Sequence, residues 1–285
     1  MLRTAVFAIA TLFCAASALA QGIDGRLKKI ADTKTINVAY RIDATPFSFV
    51  DDSKQTVGFT VDLCKRIVNS IERQLNITGL KVNWVPVTVQ TRFEAITKGQ
   101  ADMECGSSTV TLSRFKTVDF SSYIFVESTG VLVMADSNIR SLSDMSGKKI
   151  AVIGGTTNER AVNEQIKRRQ LNTTVIKVKN GDEALAMLEG GKADAYASDK
   201  MLLVGTATRA KDPKKLALLP DELSFEPYAI TLPRNEAALR LAVNTGLAQL
   251  YSSGEVSEIF NRWFGGLGSP SMLVRAVYVF GSIPD

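Results

Sequence analysis

Histidine is absent from all 285 residues. Its absence excludes Ser-His-Asp and Cys-His catalysis and every metal site built on imidazole. Cysteine is scarce, and the three present form no C-x-x-C, which argues against structural zinc and dithiol redox motifs. The net charge is only +5, with a pI near 9.0 and no run of basic residues. Such an excess favours solubility and attracts acidic solutes; it is not the footprint of a nucleic-acid-binding surface. Neither G-x-G-x-x-G nor G-K-[ST] occurs, so the Rossmann and P-loop phosphate cradles are excluded. No cofactor and no metal are expected. After residue 20 no apolar run reaches the ~18 residues that span a bilayer.

What is present begins with a leader. Arg3, the apolar stretch from Ala5 to Ala16 and the small-residue site Ala18-Leu19-Ala20 read as a cleaved secretory signal over residues 1–20. Cys14 lies inside the apolar stretch behind Phe13, which disfavours a lipoprotein cysteine. The mature chain is expected to be exported, with 45% hydrophobic content supporting one large core or two modest ones. Cleavage leaves Cys64 and Cys105. An oxidising compartment favours a disulfide between them; two buried free thiols are the competing reading.

Alternation of Ile36, Val38 and Tyr40 predicts a strand over Thr35–Tyr40 with Arg41 at its end. Leu63, Cys64, Ile67, Val68 and Ile71 form a helical stripe beginning near Thr60. Lys81–Val87, Lys149–Ile153 and Val175–Val178 read as strands. Thr91 and Glu94 are spaced as a capping box, as are Thr156 and Glu159. The first places the cation Arg92 in an opening helical turn, where an anion would offset its poor match with the helix dipole. The second follows Gly154-Gly155 and offers free N–H groups to an anion. Gly99-Gln100-Ala101-Asp102 and Gly191-Lys192-Ala193-Asp194 echo each other, and Ser107 and Asp199 stand five residues beyond the two aspartates. The echo predicts two α/β lobes of one build, each presenting polar residues at a strand's carboxyl end, where open α/β sheets bind ligands. Glu127–Gly130 and Ser224–Ile230 read as the crossings between lobes. Helices are expected near Glu236–Ser252 and Val256–Phe264, and the tail from Gly265 to Asp285 is left without a docking place.

The remaining polar stretch is Met103–Arg114. A short apolar strand ends at Cys105, and Gly106 opens a turn carrying Ser107, Ser108, Thr109, Thr111 and Arg114. Hydroxyls, free N–H groups and one planar guanidinium suit a carboxylate. A solvated polar loop is the alternative on residue types alone.

The run ECGSSTVTLSRFKTVDFS resembles the ligand loop of the amino-acid-binding proteins that feed bacterial ABC importers (solute-binding protein family 3). It is most similar to the glutamate/aspartate branch, whose loop reads ECGSTT followed by an Arg. VAYRIDATPFSFVDD, GFTVDLCKRI, PVTVQTRFEAI, VIGGTTNERAV and AYASDK fall in the order this family shows, so the resemblance covers roughly residues 35 to 265. It implies a two-lobed α/β periplasmic-binding-protein fold of type II: lobe 1 over 21–128, lobe 2 over 129–225, and a return to lobe 1 over 226–285. It implies L-glutamate or L-aspartate as ligand, a monomer, a periplasmic location and an inner-membrane ABC permease as partner. In the family's division of labour Arg114, Thr109 and Thr157 would hold the α-carboxylate, and Ser107 and Asp199 the ammonium. Arg41 and Arg92 would face the side-chain carboxylate, and Thr156 would lend an N–H. Two positions depart from the branch: Val89 replaces a usual serine and Asn180 a usual histidine, both toward the ligand's side-chain end. The competing reading is a periplasmic dehydratase on the same fold acting on a cyclic keto acid, which would need a general acid in the cleft. A detached sensor domain is a third.

Overall fold

The computed structural model describes residues 23–284. The leader expected over residues 1–20 lies outside them. Two five-stranded sheets organise these residues. The first runs Lys81–Val87, Thr35–Arg41, Met103–Cys105, Glu226–Leu232, Asp119–Glu127 in spatial order. The second runs Thr174–Val178, Lys149–Ile153, Ala195–Asp199, Thr129–Met134, Leu216–Leu218. In each, three parallel strands are followed by strands paired antiparallel. The build of the two sheets is therefore the same, as the short sequence echo predicts.

The echo also has a shared local cause. The Asp102 side chain accepts from the Asn37 N–H at 2.8 Å, while the Asp102 N–H donates to the Asn37 carbonyl at 2.8 Å. Asp194 does the same with Lys149, at 2.7 and 2.8 Å. Gly99 and Gly191 precede them at φ +74° and +65°, a left-handed turn that suits glycine. Each glycine-to-aspartate unit thus stitches a helix end to the neighbouring strand and aims the following strand at the same end of its sheet.

The helix Phe59–Gln74 buries Leu63, Cys64, Ile67, Val68 and Ile71, the stripe read from sequence. Together with Ala237–Ser252 and Glu255–Phe264 it covers one face of the first sheet and encloses the largest core, which includes Phe47, Phe59, Phe125 and Phe264. Cys64 and Cys105 are disulfide-bonded, tying this helix to the strand that leads into the Ser/Thr loop. The sequence separation of 41 corresponds to about 4 kcal/mol of loop-closure entropy removed from the unfolded chain. The second sheet has a core on each face.

Two local expectations differ. Thr91 makes no capping bond to the helix Arg92–Thr97; its hydroxyl instead accepts from the Thr88 N–H at 3.0 Å, closing the preceding turn. Thr156 does cap, accepting from the Glu159 N–H at 3.1 Å, and Glu159 reaches back to the Gly155 N–H at 2.7 Å. The tail forms a helix, Met272–Gly281, started by Ser271, whose hydroxyl accepts from the Val274 N–H at 3.3 Å. Val274 and Tyr278, one turn apart, dock it on the first lobe beside Tyr251. No described helix is long and apolar enough to cross a membrane.

Candidate functional site

The carboxyl ends of the two sheets face each other across a cleft. Arg41, Val89, Arg92, Ser107 and Thr109 from the first lobe and Thr156, Thr157, Asn158, Ser198, Asp199 and Leu202 from the second line one narrow cavity. Seven of the nine ligand-binding residues expected from sequence are thereby brought together. Arg114 lies just behind them, half-buried, donating from Nη1 to the Thr109 carbonyl at 2.6 Å. Asn180 does not line the cavity; its side chain caps the helix Gly181–Glu189 by accepting from the Glu183 N–H at 2.9 Å.

Local sequence explains each placement. Gly106 is required by close approach: a Cβ there would lie 2.1 Å from Oε1 of the buried Glu104 and 2.9 Å from Cγ of Arg41. Glu104 accepts from Ser108 and Thr231, each at 2.7 Å, and so anchors the loop from beneath. Asp199 stands at the N-cap position of the helix Lys200–Ala207 yet makes no capping bond. Its oxygens instead accept from Asn158 Nδ2 at 2.8 Å and from the Tyr228 hydroxyl. Thr157, the first residue of the helix Thr157–Arg168, donates to Glu226 at 2.6 Å and lies 3.3 Å from the Thr109 hydroxyl.

The charges here are out of water and unusually exposed to one another. Arg92 is 3% exposed, donates to the Ser107 carbonyl at 3.3 Å and has no partner for Nε among the described residues. Burial, then the neighbouring Arg114 cation, lowers its pKa to about 9. Burial also lowers that of Arg114, against the pull of Glu226, Glu104 and Asp199. Both guanidinium groups lie over the Phe93 ring, at 4.8 and 5.0 Å from its centroid, which offsets part of their desolvation. Asp199 is pushed up to about 6 by burial and by the Glu226 carboxylate. Glu127, opposite Glu226 across the two crossing strands, is pushed up to about 8 by burial and by Asp199.

The lobes touch through the cleft. Gln90 donates to the Lys179 carbonyl at 3.2 Å, the Tyr228 hydroxyl reaches Asp199, and Val89 packs on the second lobe's core. Gly205 sits so close to Thr45 that a Cβ would lie 2.2 Å from the Thr45 carbonyl oxygen. Sequence reading missed Asn158, Tyr228, Glu226 and Phe93. Asn158 and Phe93 adjoin expected residues, but Tyr228 and Glu226 carry no local signal, because their partners lie 29 and 69 residues away.

A buried and a half-buried cation without carboxylate partners among the described residues, a buried carboxylate and hydroxyls from both lobes suit a small zwitterion with extra negative charge. The family model of the bacterial extracellular solute-binding proteins, family 3, matches residues 36–266. The chain belongs to this family. It is 34% identical over 258 residues to the L-glutamate/L-aspartate-binding protein of Pseudomonas aeruginosa, covering 90% of this chain and 85% of that one. To the glutamate/aspartate import solute-binding protein of Escherichia coli it is 32% identical, over 84% of this chain and 79% of the relative. Among solved structures, a mutant of ArgBP from T. maritima superposes with TM-score 0.74 at 27% identity, covering 85% of this chain and 100% of that one. The ancestral amino acid-binding protein AncCDT-1, a precursor of cyclohexadienyl dehydratase, superposes with TM-score 0.74 at 27% identity, over 84% and 100%. The type II two-lobed fold follows, as does a role as a solute-binding protein and not an enzyme, since the curated relatives are binding proteins.

Proposed function

We propose that this chain binds L-glutamate or L-aspartate between its lobes in the periplasm and, as a monomer, delivers it to an ABC permease of the inner membrane. The observation carrying this reading is that Arg92, buried, and Arg114, half-buried, have no carboxylate within salt-bridge distance among the described residues, with Asp199 close by. Two cations and one anion answer two carboxylates and one ammonium. Arg114, Thr109 and Thr157 take the α-carboxylate; Asp199 and Ser107 take the ammonium; Arg92 and Arg41 face the side-chain carboxylate; Thr156 supplies its N–H, because its hydroxyl is committed to Ile153 and Glu159. Leaving a desolvated guanidinium unpaired costs several kcal/mol, so neutral and basic amino acids are disfavoured. This separates the chain from its arginine-binding structural neighbours, whose ligand would set a second cation against Arg92. The names of the two curated relatives support the acidic ligand.

Binding stabilises the closed form because Thr109 and Ser107 belong to one lobe and Thr157 and Asp199 to the other. Calorimetric titration with L-glutamate, L-aspartate, L-glutamine and L-arginine tests the reading. The two acids bind, and the others bind at least about 100-fold more weakly, the equivalent of a few kcal/mol. Arginine or glutamine binding as tightly as glutamate refutes it.

A further inference from the structure

Three arginines reach toward this cleft, but their electrostatic situations differ. Arg41 is 3% exposed, and its Nε and Nη2 both donate to Oδ1 of Asp43, at 3.0 and 2.7 Å. Arg92 and Arg114 have no such partner among the described residues. The Arg41–Asp43 pair is held by its own backbone. Asp43 and Ala44 form a short strand paired antiparallel with Ser48–Val50, and the Ser48 hydroxyl accepts from the Arg41 N–H at 3.0 Å. Residues 41 and 43 therefore keep their relation whatever occupies the cavity. Asp43 is largely buried too, its side chain 17% exposed, so solvent screens the pair little.

The charge balance of the site changes once this pair is counted as neutral. The charges left to meet a ligand's two carboxylates and ammonium are then Arg92, Arg114 and Asp199, with the carboxylates of Glu226 and Glu104 buried behind them and bonded to hydroxyls. Arg41 still lines the cavity, and its Nη1 makes no hydrogen bond among the described residues, so one edge remains for a ligand oxygen.

We propose that Asp43 is a positioning residue that sets acid-over-amide selectivity. It holds Arg41 through one edge, cancels its charge, and leaves Arg41 as a hydrogen-bond donor that accepts either a carboxylate or an amide oxygen, so that Arg92 alone discriminates glutamate from glutamine. The inference rests on the reading of the ligand as an acidic amino acid.

The quantity to measure is the ratio of glutamate to glutamine affinity, by calorimetry, in four proteins: wild type, Asp43→Asn, Arg41→Met and the double variant. Asp43→Asn uncovers the Arg41 charge and raises the ratio by about tenfold or more. Arg41→Met leaves a bare carboxylate beside the ligand's and lowers the ratio by about tenfold or more. The double variant restores neutrality and returns the ratio to within about threefold of wild type. Thermal unfolding is followed in parallel. If Arg41→Met does not fold, the near-isosteric Asp43→Asn decides the matter. A ratio that does not move in Asp43→Asn overturns the proposal, since a purely structural role of Asp43 changes both affinities together. Wild-type protein that binds neither amino acid overturns the acidic-ligand reading, and this inference falls with it. Glutamate binding retained with an unmoved ratio overturns this inference alone.

Discussion

Gly205→Ala isolates the closing step from the fold of either lobe. Gly205 lies in the helix Lys200–Ala207 of the second lobe, and Thr45 faces it from the first. A Cβ at this position would be 2.2 Å from the Thr45 carbonyl oxygen and 2.7 Å from its carbon. Non-bonded carbon atoms rest at about 3.5–4.0 Å, so the lobes must stay roughly 1 Å farther apart at this point. The two nearest atoms belong to the Thr45 backbone, with no flexible end to swing aside. An overpacked contact costs about 1–3 kcal/mol. Here that cost falls only on the closed form, so glutamate affinity drops by about 5- to 150-fold. The same change has the opposite sign on the open form, because alanine is favoured over glycine inside a helix by about 0.5–1 kcal/mol. The melting temperature without amino acid therefore holds or rises while the calorimetric Kd worsens. An unchanged Kd refutes the argument that the Gly205–Thr45 approach is a condition of closure.

Arg114→Met abolishes binding of every amino acid tested, whereas Arg92→Met weakens glutamate by about 2–5 kcal/mol and narrows the gap between glutamate and glutamine; calorimetry with both ligands checks this, and the reverse pattern means the two roles are exchanged. Asp199 sits near pKa 6 because of burial and Glu226, and an ammonium needs it ionised, so affinity falls about tenfold per pH unit below about 6. The stability effect runs the other way: a carboxyl raised on folding favours the folded state below its unfolded pKa near 4, and that contribution is lost as pH rises through about 6. Titrations from pH 4.5 to 7.5 on wild type and Asp199→Asn test both signs, the variant losing the pH dependence along with most of the affinity. Reducing Cys64–Cys105, or replacing both by alanine, lowers unfolding stability by about 4 kcal/mol in denaturant titrations, given the separation of 41 residues.

Much of the candidate site was legible because its residues sit at element ends that announce themselves. Arg41 ends an alternating strand, Thr156 and Thr157 follow a glycine pair into a capping box, and Ser107 and Asp199 stand at equal distances from matching Gly-x-x-Asp units. These are short-range signals, and the structure places all five residues on one cavity. The disulfide was legible as the more favoured of two readings, and the bond is present. What stayed hidden depends on contacts between distant segments or on competition for one group. Tyr228 and Glu226 read as ordinary strand residues until the second lobe supplies Asp199 and Thr157. Thr91 had the spacing of a cap, but Thr88 offered a nearer donor. The tail helix has a start signal at Ser271, yet its apolar residues Met272, Val279 and Phe280 remain exposed, so periodicity alone did not reveal which face docks. Asp43 lay in plain view two residues from Arg41, but only the hairpin back to Ser48 makes them a pair.

The position of Glu226–Leu232 inside the first sheet has a consequence for how the protein is made. That strand lies between Met103–Cys105 and Asp119–Glu127, although more than a hundred residues separate it from the former. The second sheet draws only on the continuous stretch from Thr129 to Leu218. A chain that emerges N-terminus first can therefore complete its second lobe while its first, though synthesised earlier, still waits for an inner strand of its sheet. Local contacts form faster than distant ones, and domains fold as units, so the nascent order of folding is the reverse of the order of synthesis. A chain stopped after Ser224 should show hydrogen-exchange protection across 129–218 and little across 35–105; equal protection of both would contradict this order. During that interval Met103–Cys105 has an unpaired side, and the loop that carries Ser107, Thr109 and Arg114 lacks its bridge from Thr109 to Tyr228. The candidate site thus cannot be complete before the chain has passed Leu232, although every residue lining it was made earlier.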